Sequence, residues 1–266
     1  MHYFSAKVCV VGLGYIGLPT AALLASRGHR IYGVDVNQNA VDTINEGKIH
    51  IVEPDLDTFV RASVESGKLT AHQEPQPADV FIIAVPTPFR EDHQPNLSYV
   101  EAATKAIAPH VQPGNMIILE STSPVGTTER VGEILAEADV DTSQLAIAHC
   151  PERVLPGRVM IELTKNDRIV GGLTPEATKR VAEFYREFVT GEVLETTART
   201  AEMAKLVENA SRDVQIAFAN ELSMLADRFE INVWELIELA NHHPRVNILQ
   251  PGTGVGGHCI AVDPWF

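Results

Sequence analysis

No two of the three cysteines in this 266-residue chain, Cys9, Cys150 and Cys259, stand at C-x-x-C spacing. The sequence therefore offers neither a disulfide framework nor a thiolate zinc site, and no metal is expected. Basic residues are also scarce. Lys and Arg number 21 against 35 Asp and Glu, a formal net charge of -14, which argues against nucleic acid, whose phosphates are held by clustered cations. A small phosphate-bearing molecule stays compatible, because backbone N–H groups and one or two arginines can hold it. No apolar run reaches the ~18 residues of a membrane helix. The opening "MHYFSAKVCVVGLG" lacks the long apolar segment and small-residue cleavage site of a signal peptide. A reducing cytoplasm and no membrane partner are the expectation.

What is present is a strand–helix alternation. Lys7–Gly12, Arg30–Asp35, Asp79–Val85, Asn115–Glu120 and Leu145–His149 are short apolar runs rich in Val and Ile, with amphipathic stretches such as Asp55–Ser66 and Ser98–Pro109 between them. Near-continuous apolar strands joined by helical crossovers predict an α/β fold: a doubly wound, mostly parallel Rossmann-type sheet covered on both faces. "DRIVGG", Pro175–Val189 and "EVLETT" add a further strand, helix and strand, so residues 1–197 form the expected first domain. From residue 198 the pattern changes. Ala204, Val207, Ser211, Val214, Phe218, Leu222 and Leu225 recur every three or four residues, predicting one long helix with a narrow stripe. It is either a dimerisation element or a helix packed on its own domain. Asn232 caps a second helix, "VWELIELA".

"VVGLGYIGLP" carries Gly12, Gly14 and Gly17 as G-x-G-x-x-G, after a strand and opening a helix. The first glycine permits the tight turn, the second lets backbone approach a pyrophosphate, and the third lets helix pack on strand. Tyr15 and Ile16 complete this candidate cofactor cradle. Asp35 ends the second strand 23 residues after Gly12, where a carboxylate would accept from an adenosine ribose and repel a 2′-phosphate. NAD is thus the expected cofactor. Thr87 in "VPTPF" and Thr122 in "ESTSPVGTT" follow strands on the same edge, placed either to line the nicotinamide half or to serve as turn residues.

Cys9 falls mid-strand and Cys150 ends a strand, both positions for a small buried hydrophobe. Cys259 differs, following Gly256, Gly257 and His258 and preceding Asp263. A thiolate there could attack an aldehyde carbonyl if its surroundings favour ionisation. His258 reads as a packing or loop residue rather than a metal ligand. Lys205, Asn209 and Arg212 share one helix face at i, i+4 and i+7, which is either solvated surface or an active-site wall.

"VGLGYIGLP", "STSPVGTT", "AEMAKLVENASRD" and "GTGVGGHCIAVDP", in that order, resemble the NAD-dependent nucleotide-sugar 6-dehydrogenases, the UDP-glucose/GDP-mannose dehydrogenase family. "CPERVLPG" and "HPRVNILQPGTGVGGHCIAVDPWF" look like the branch acting on UDP-N-acetyl-D-mannosamine, with UDP-N-acetylglucosamine as the next substrate. The resemblance implies a four-electron oxidation of the sugar C6 alcohol to a carboxylate with two NAD. It assigns Lys205 and Asp263 to the hydroxyl proton, Asn209 and Lys205 to the oxyanion, Cys259 to a thiohemiacetal and thioester, and Glu152 to the hydrolytic water. Arg153, Val154, Arg212, His243, Arg245 and Gly256 match substrate-contacting positions, and the 199–229 helix matches the dimerisation element. Family members continue into a second α/β domain that carries much of the uridine nucleotide site. The chain is therefore expected to be a fragment or truncated form, with 198–266 an incomplete helical domain.

Overall fold

The computed structural model describes residues 5–257 and 259–266; His258 lies outside them. Eight strands form one sheet: β1 (Lys7–Val11), β2 (Arg30–Val34), β3 (Leu69–His72), β4 (Val80–Ile83), β5 (Met116–Leu119), β6 (Ala146–His149), β7 (Arg168–Gly172) and β8 (Val193–Thr197), in spatial order 3-2-1-4-5-6-7-8. The first six run parallel, as expected for strands joined by helical crossovers. β7 pairs antiparallel with β6 and parallel with β8, so the last two strands are reversed.

Side-chain alternation divides the core between the faces of the sheet. Val8, Val10, Val80 and Ile82 join one apolar cluster, while Cys9, Val11, Phe81 and Ile83 join the other. Helices α1 (Gly17–Ser26), α2 (Gln38–Asn45), α3 (Leu56–Glu65), α6 (Val159–Lys165) and α7 (Pro175–Arg186) supply the first cluster. Helices α4 (Ser98–Ile107) and α5 (Thr127–Glu137) supply the second through Val100, Ile107, Val131 and Leu135. Because both faces are covered, the central strands are apolar at consecutive positions rather than alternate ones.

Helix α8 (Ala198–Arg228) is 31 residues long, and α9 (Val233–Asn241) follows it. Asn232 caps α9, its side chain accepting from the Trp234 and Glu235 N–H groups at 3.0 and 3.4 Å. The chain divides into two compact units, Met1–Pro88 with Pro95–Met203, and Phe89–Gln94 with Ala204–Phe266. Along α8 the buried apolar residues are Ala198, Ala201, Leu206, Ala219 and Ala226. Val207, Val214, Phe218 and Leu225 of the predicted stripe are exposed. No helix among the described residues is long and apolar enough to cross a membrane.

Candidate active site

The glycine turn joins β1 to α1. Gly12 has φ +94°, and a Cβ there would come within 2.6 Å of the Ala84 carbonyl oxygen. A Cβ on Gly17 would fall 1.7 Å from the Gly12 oxygen, so α1 can approach the strand only without a side chain there. A Cβ on Gly14 would meet nothing within 4 Å among the described residues. Two glycines thus shape the turn, and the third faces open space where a phosphate can approach the backbone. Asp35 closes the cradle: Oδ2 accepts the Leu13 N–H at 3.0 Å and Oδ1 the Asn37 N–H at 2.9 Å. Each oxygen keeps a lone pair for a ribose hydroxyl. These residues fit a dinucleotide.

Two loops at the carboxyl edge are tied together. The Thr87 hydroxyl donates to the Thr122 carbonyl at 2.5 Å, and Ser121 Oγ donates to the Val85 carbonyl at 2.8 Å. The two threonines are therefore neighbours, and the Thr87 hydroxyl proton is already engaged. Glu202, fully buried on α8, accepts the Gly126 N–H, the Thr128 N–H and the Thr128 hydroxyl at 2.6 to 2.7 Å. A carboxylate at the N-terminus of α5 satisfies orphan donors and opposes the helix dipole. Glu53 does the same for α6, accepting from Gly157 and Val159 at 2.8 and 2.7 Å.

The "PER" segment leaves β6. Glu152 is buried against Arg168, with Oε1 accepting the Arg153 N–H at 2.7 Å. Arg153 donates through Nη1 to the Asp167 carbonyl at 3.2 Å, and Val154 packs against the first core cluster. Cys9 and Cys150 are buried in the same unit, where burial pushes their thiols up to about 11 and about 12. They are protonated, inert core residues.

In the second unit, Asn209 Nδ2 donates to Asp263 Oδ2 at 2.5 Å. Burial raises the Asp263 carboxyl above its ordinary range, opposed by the Asn209 hydrogen bond and the Lys205 ammonium. Cys259 is exposed, and its carbonyl accepts the Val262 and Asp263 N–H groups at 3.0 and 2.8 Å. Thiol and carboxylate thus belong to one turn, and the carboxylate meets the amide predicted on α8. Arg212, His243, Arg245 and Gly256 are exposed; His243 Nδ1 accepts the Arg245 N–H at 3.3 Å. Among the described residues no His, Cys, Asp and Glu cluster could hold a metal.

No sequence motif assigns a role to Glu53, Glu120, Arg168, Tyr185 or Glu202. Arg168 in "DRIVGG" and Glu120 in "MIILE" were visible as charges abutting apolar strand runs, where an ionised group requires a partner.

Residues 6–189 match the sequence profile of the UDP-glucose/GDP-mannose dehydrogenase family, NAD binding domain, and residues 199–266 match the same family's central domain. The dinucleotide for this cradle is therefore NAD. An NDP-N-acetyl-D-galactosaminuronic acid dehydrogenase from Ralstonia solanacearum is 62% identical over 97% of this chain and 63% of its own length. A UDP-N-acetyl-D-mannosamine dehydrogenase from Campylobacter jejuni is 62% identical over all of this chain and 68% of its own. The chain thus spans about two thirds of the length of these curated relatives. The solved UDP-D-ManNAc dehydrogenase from Pyrococcus horikoshii superposes with a TM-score of 0.92 at 44% identity, over 97% of this chain and 63% of that one. A profile that covers β1 to β7 and a second that covers the helices beyond the sheet agree with these likenesses: the chain belongs to the UDP-glucose/GDP-mannose dehydrogenase family.

Proposed function

We propose that this chain carries the cofactor and central parts of a UDP-N-acetyl-D-mannosamine 6-dehydrogenase, with residues 1–197 holding NAD and 198–266 forming a helical, dimerising part. NAD, when bound there, would supply the hydride acceptor for each of two oxidations. Gly12, Gly14, Tyr15, Ile16 and Gly17 cradle its pyrophosphate, Asp35 takes the ribose, and Thr87 and Thr122 line the nicotinamide half. The observation that carries the reading is the Asn209–Asp263 hydrogen bond with Lys205 on the same helix face. It gathers an amine, an amide and a proton-accepting carboxylate one turn from an exposed thiol.

In this reading Asp263 takes the proton of the 6-hydroxyl as the first hydride leaves, with the Lys205 ammonium beside it managing the charge. Asn209 and Lys205 donate to the oxyanion, a preorganised interaction worth about 3 kcal/mol. Cys259 adds to the aldehyde as a thiohemiacetal, and loss of the second hydride and a proton leaves a thioester. Water, activated by Glu152, breaks the C–S bond and restores the thiol. Covalent capture retains the reactive aldehyde between the two oxidations. Arg153, Val154, Arg212, His243, Arg245 and Gly256 serve the substrate. The exposed α8 stripe Val207, Val214, Phe218 and Leu225 meets a second copy across a homodimer.

The Ralstonia relative, equally identical, supports a second reading in which the substrate is an N-acetylgalactosamine nucleotide. Turnover of the chain with NAD and UDP-N-acetylmannosamine, UDP-N-acetylglucosamine or UDP-N-acetylgalactosamine separates these, with Cys259→Ala as control. The expected result is two NADH per UDP-N-acetylmannosamine and none in the control. One NADH per sugar overturns the four-electron reading. NAD binding without NADH from any sugar makes the chain a cofactor-binding module.

A further inference from the structure

At the carboxyl edge of the sheet, Glu152 lies three residues beyond β6 and Arg168 opens β7. The antiparallel register sets Ala148 opposite Gly172 and His149 opposite Gly171; continued outward, it sets 152 opposite 168. Had β7 run parallel, its first residue would lie at the far edge. The strand reversal is what brings an arginine to the edge where α/β sheets bind ligands.

The contact is buried and close. Arg168 Nη1 stands 2.6 Å from Glu152 Oε2, with 2% and 7% of the two side chains exposed, although the pair is out of line for a hydrogen bond. Glu152 Oε1 is held by the Arg153 N–H at 2.7 Å, so both oxygens are engaged. Behind them the guanidinium carbon sits 5.4 Å from the Tyr185 ring centroid, and the Tyr185 hydroxyl donates to Glu120 Oε1 at 2.6 Å. Burial pushes the Glu120 carboxyl up to about 7, so below neutrality Glu120 competes weakly for the guanidinium.

A buried ion pair is a poor stabiliser, because desolvation offsets much of its attraction, and apolar residues of like volume do as well or better. A guanidinium does what those residues cannot: it fixes a carboxylate in one orientation. We propose that Arg168 is the positioning residue for Glu152, holding its carboxylate for the water-activating work assigned to it above without itself touching substrate. This rests on the reading of Glu152 and Cys259 under the proposed function. The step served adds water to the thioester carbonyl, breaks the C–S bond, and returns a proton to the Cys259 sulfur, with no change of oxidation state.

The test is a double-mutant cycle of Arg168→Met and Glu152→Gln, read by hydrogen exchange at the Arg153 amide, with Arg168→Lys as the conservative variant. Arg168→Met is expected to speed exchange about tenfold in the parent and less than about twofold in the Glu152→Gln background, the size of coupling usual between contacting residues. Arg168→Lys should fall between, and it carries the cycle if Arg168→Met does not fold. Equal acceleration in both backgrounds, or none in either, overturns the proposal. With NAD and UDP-N-acetylmannosamine, Arg168→Lys should release two NADH per chain in a burst and then slow, with KM for NAD unchanged. Unaltered turnover in a parent that is active overturns the positioning role. If the parent yields no NADH, the exchange cycle still decides whether Arg168 orients Glu152, and the reading as an oxidising enzyme fails separately.

Discussion

In the first unit, buried carboxylates are spoken for by the chain itself: Glu53 caps α6, Glu202 caps α5, and Glu152 faces Arg168. In the second, Arg212, His243, Arg245 and Cys259 lie exposed, and among the described residues the buried apolar ones reduce to Leu206, Ala219, Ala226 and Ile237. The first unit sets its polar geometry internally, so charge there is bound up with stability. Apart from the buried Asp263, held by Asn209, the groups named in the second lie at the surface, so charge at Arg212, His243 and Arg245 should matter to binding and little to folding.

The sharpest way to break this contrast is to remove one charge from each side. Glu202→Ala strands three donors in the interior and should cost about 4 kcal/mol in urea unfolding. Arg212→Ala should stay within about 0.5 kcal/mol. Similar losses would erase the distinction.

Next in size is a pH effect. The raised Glu120 carboxyl stabilises the fold below its ordinary 4.5, and that contribution is lost as pH rises through about 7. Burial pulls the His149 ring down to about 3. Its contribution is present above its ordinary value and is lost as pH falls, so the two slopes oppose each other between 4.5 and 6.5. Glu120→Gln should gain on the parent by ~3 kcal/mol more near pH 8 than near pH 4, measured by urea unfolding at each pH. A constant difference would mean that Glu120 titrates as a surface carboxylate does.

The smallest effect separates fold from ligand inside the glycine turn. Gly17→Ala drives a methyl into backbone and should lower stability by about 2 kcal/mol. Gly14→Ala, facing open space, should leave the melting temperature within a degree or two and weaken NAD binding. Equal thermal losses would show that Gly14 serves the turn rather than the ligand.

These contrasts also mark what was legible in the sequence. The central strands and the Gly12–Gly17 turn were, because buried apolar runs and positive φ leave local signatures. β3 was not: it is an edge strand with Thr70 exposed between buried Leu69 and Ala71, too short and too mixed to stand out. The direction of β7 left no mark, since an apolar run reads the same whichever way its strand points. The partners of Glu202 and Arg168 are equally silent, because Gly126 lies 76 residues from Glu202 and only the folded sheet brings such pairs together. The Asn209–Asp263 pair spans 54 residues; helical spacing put Asn209 on a face with Lys205, but the link to Asp263 came from resemblance alone.

The burial of Cys9 and Cys150 beside the exposure of Cys259 has a practical side. Two thiols sealed in the sheet are beyond the reach of a water-borne electrophile until the sheet opens, while the third stands at the surface. To such a reagent the folded chain is a one-thiol protein and the unfolded chain a three-thiol one, so the molecule carries its own chemical counter of how much of it is folded.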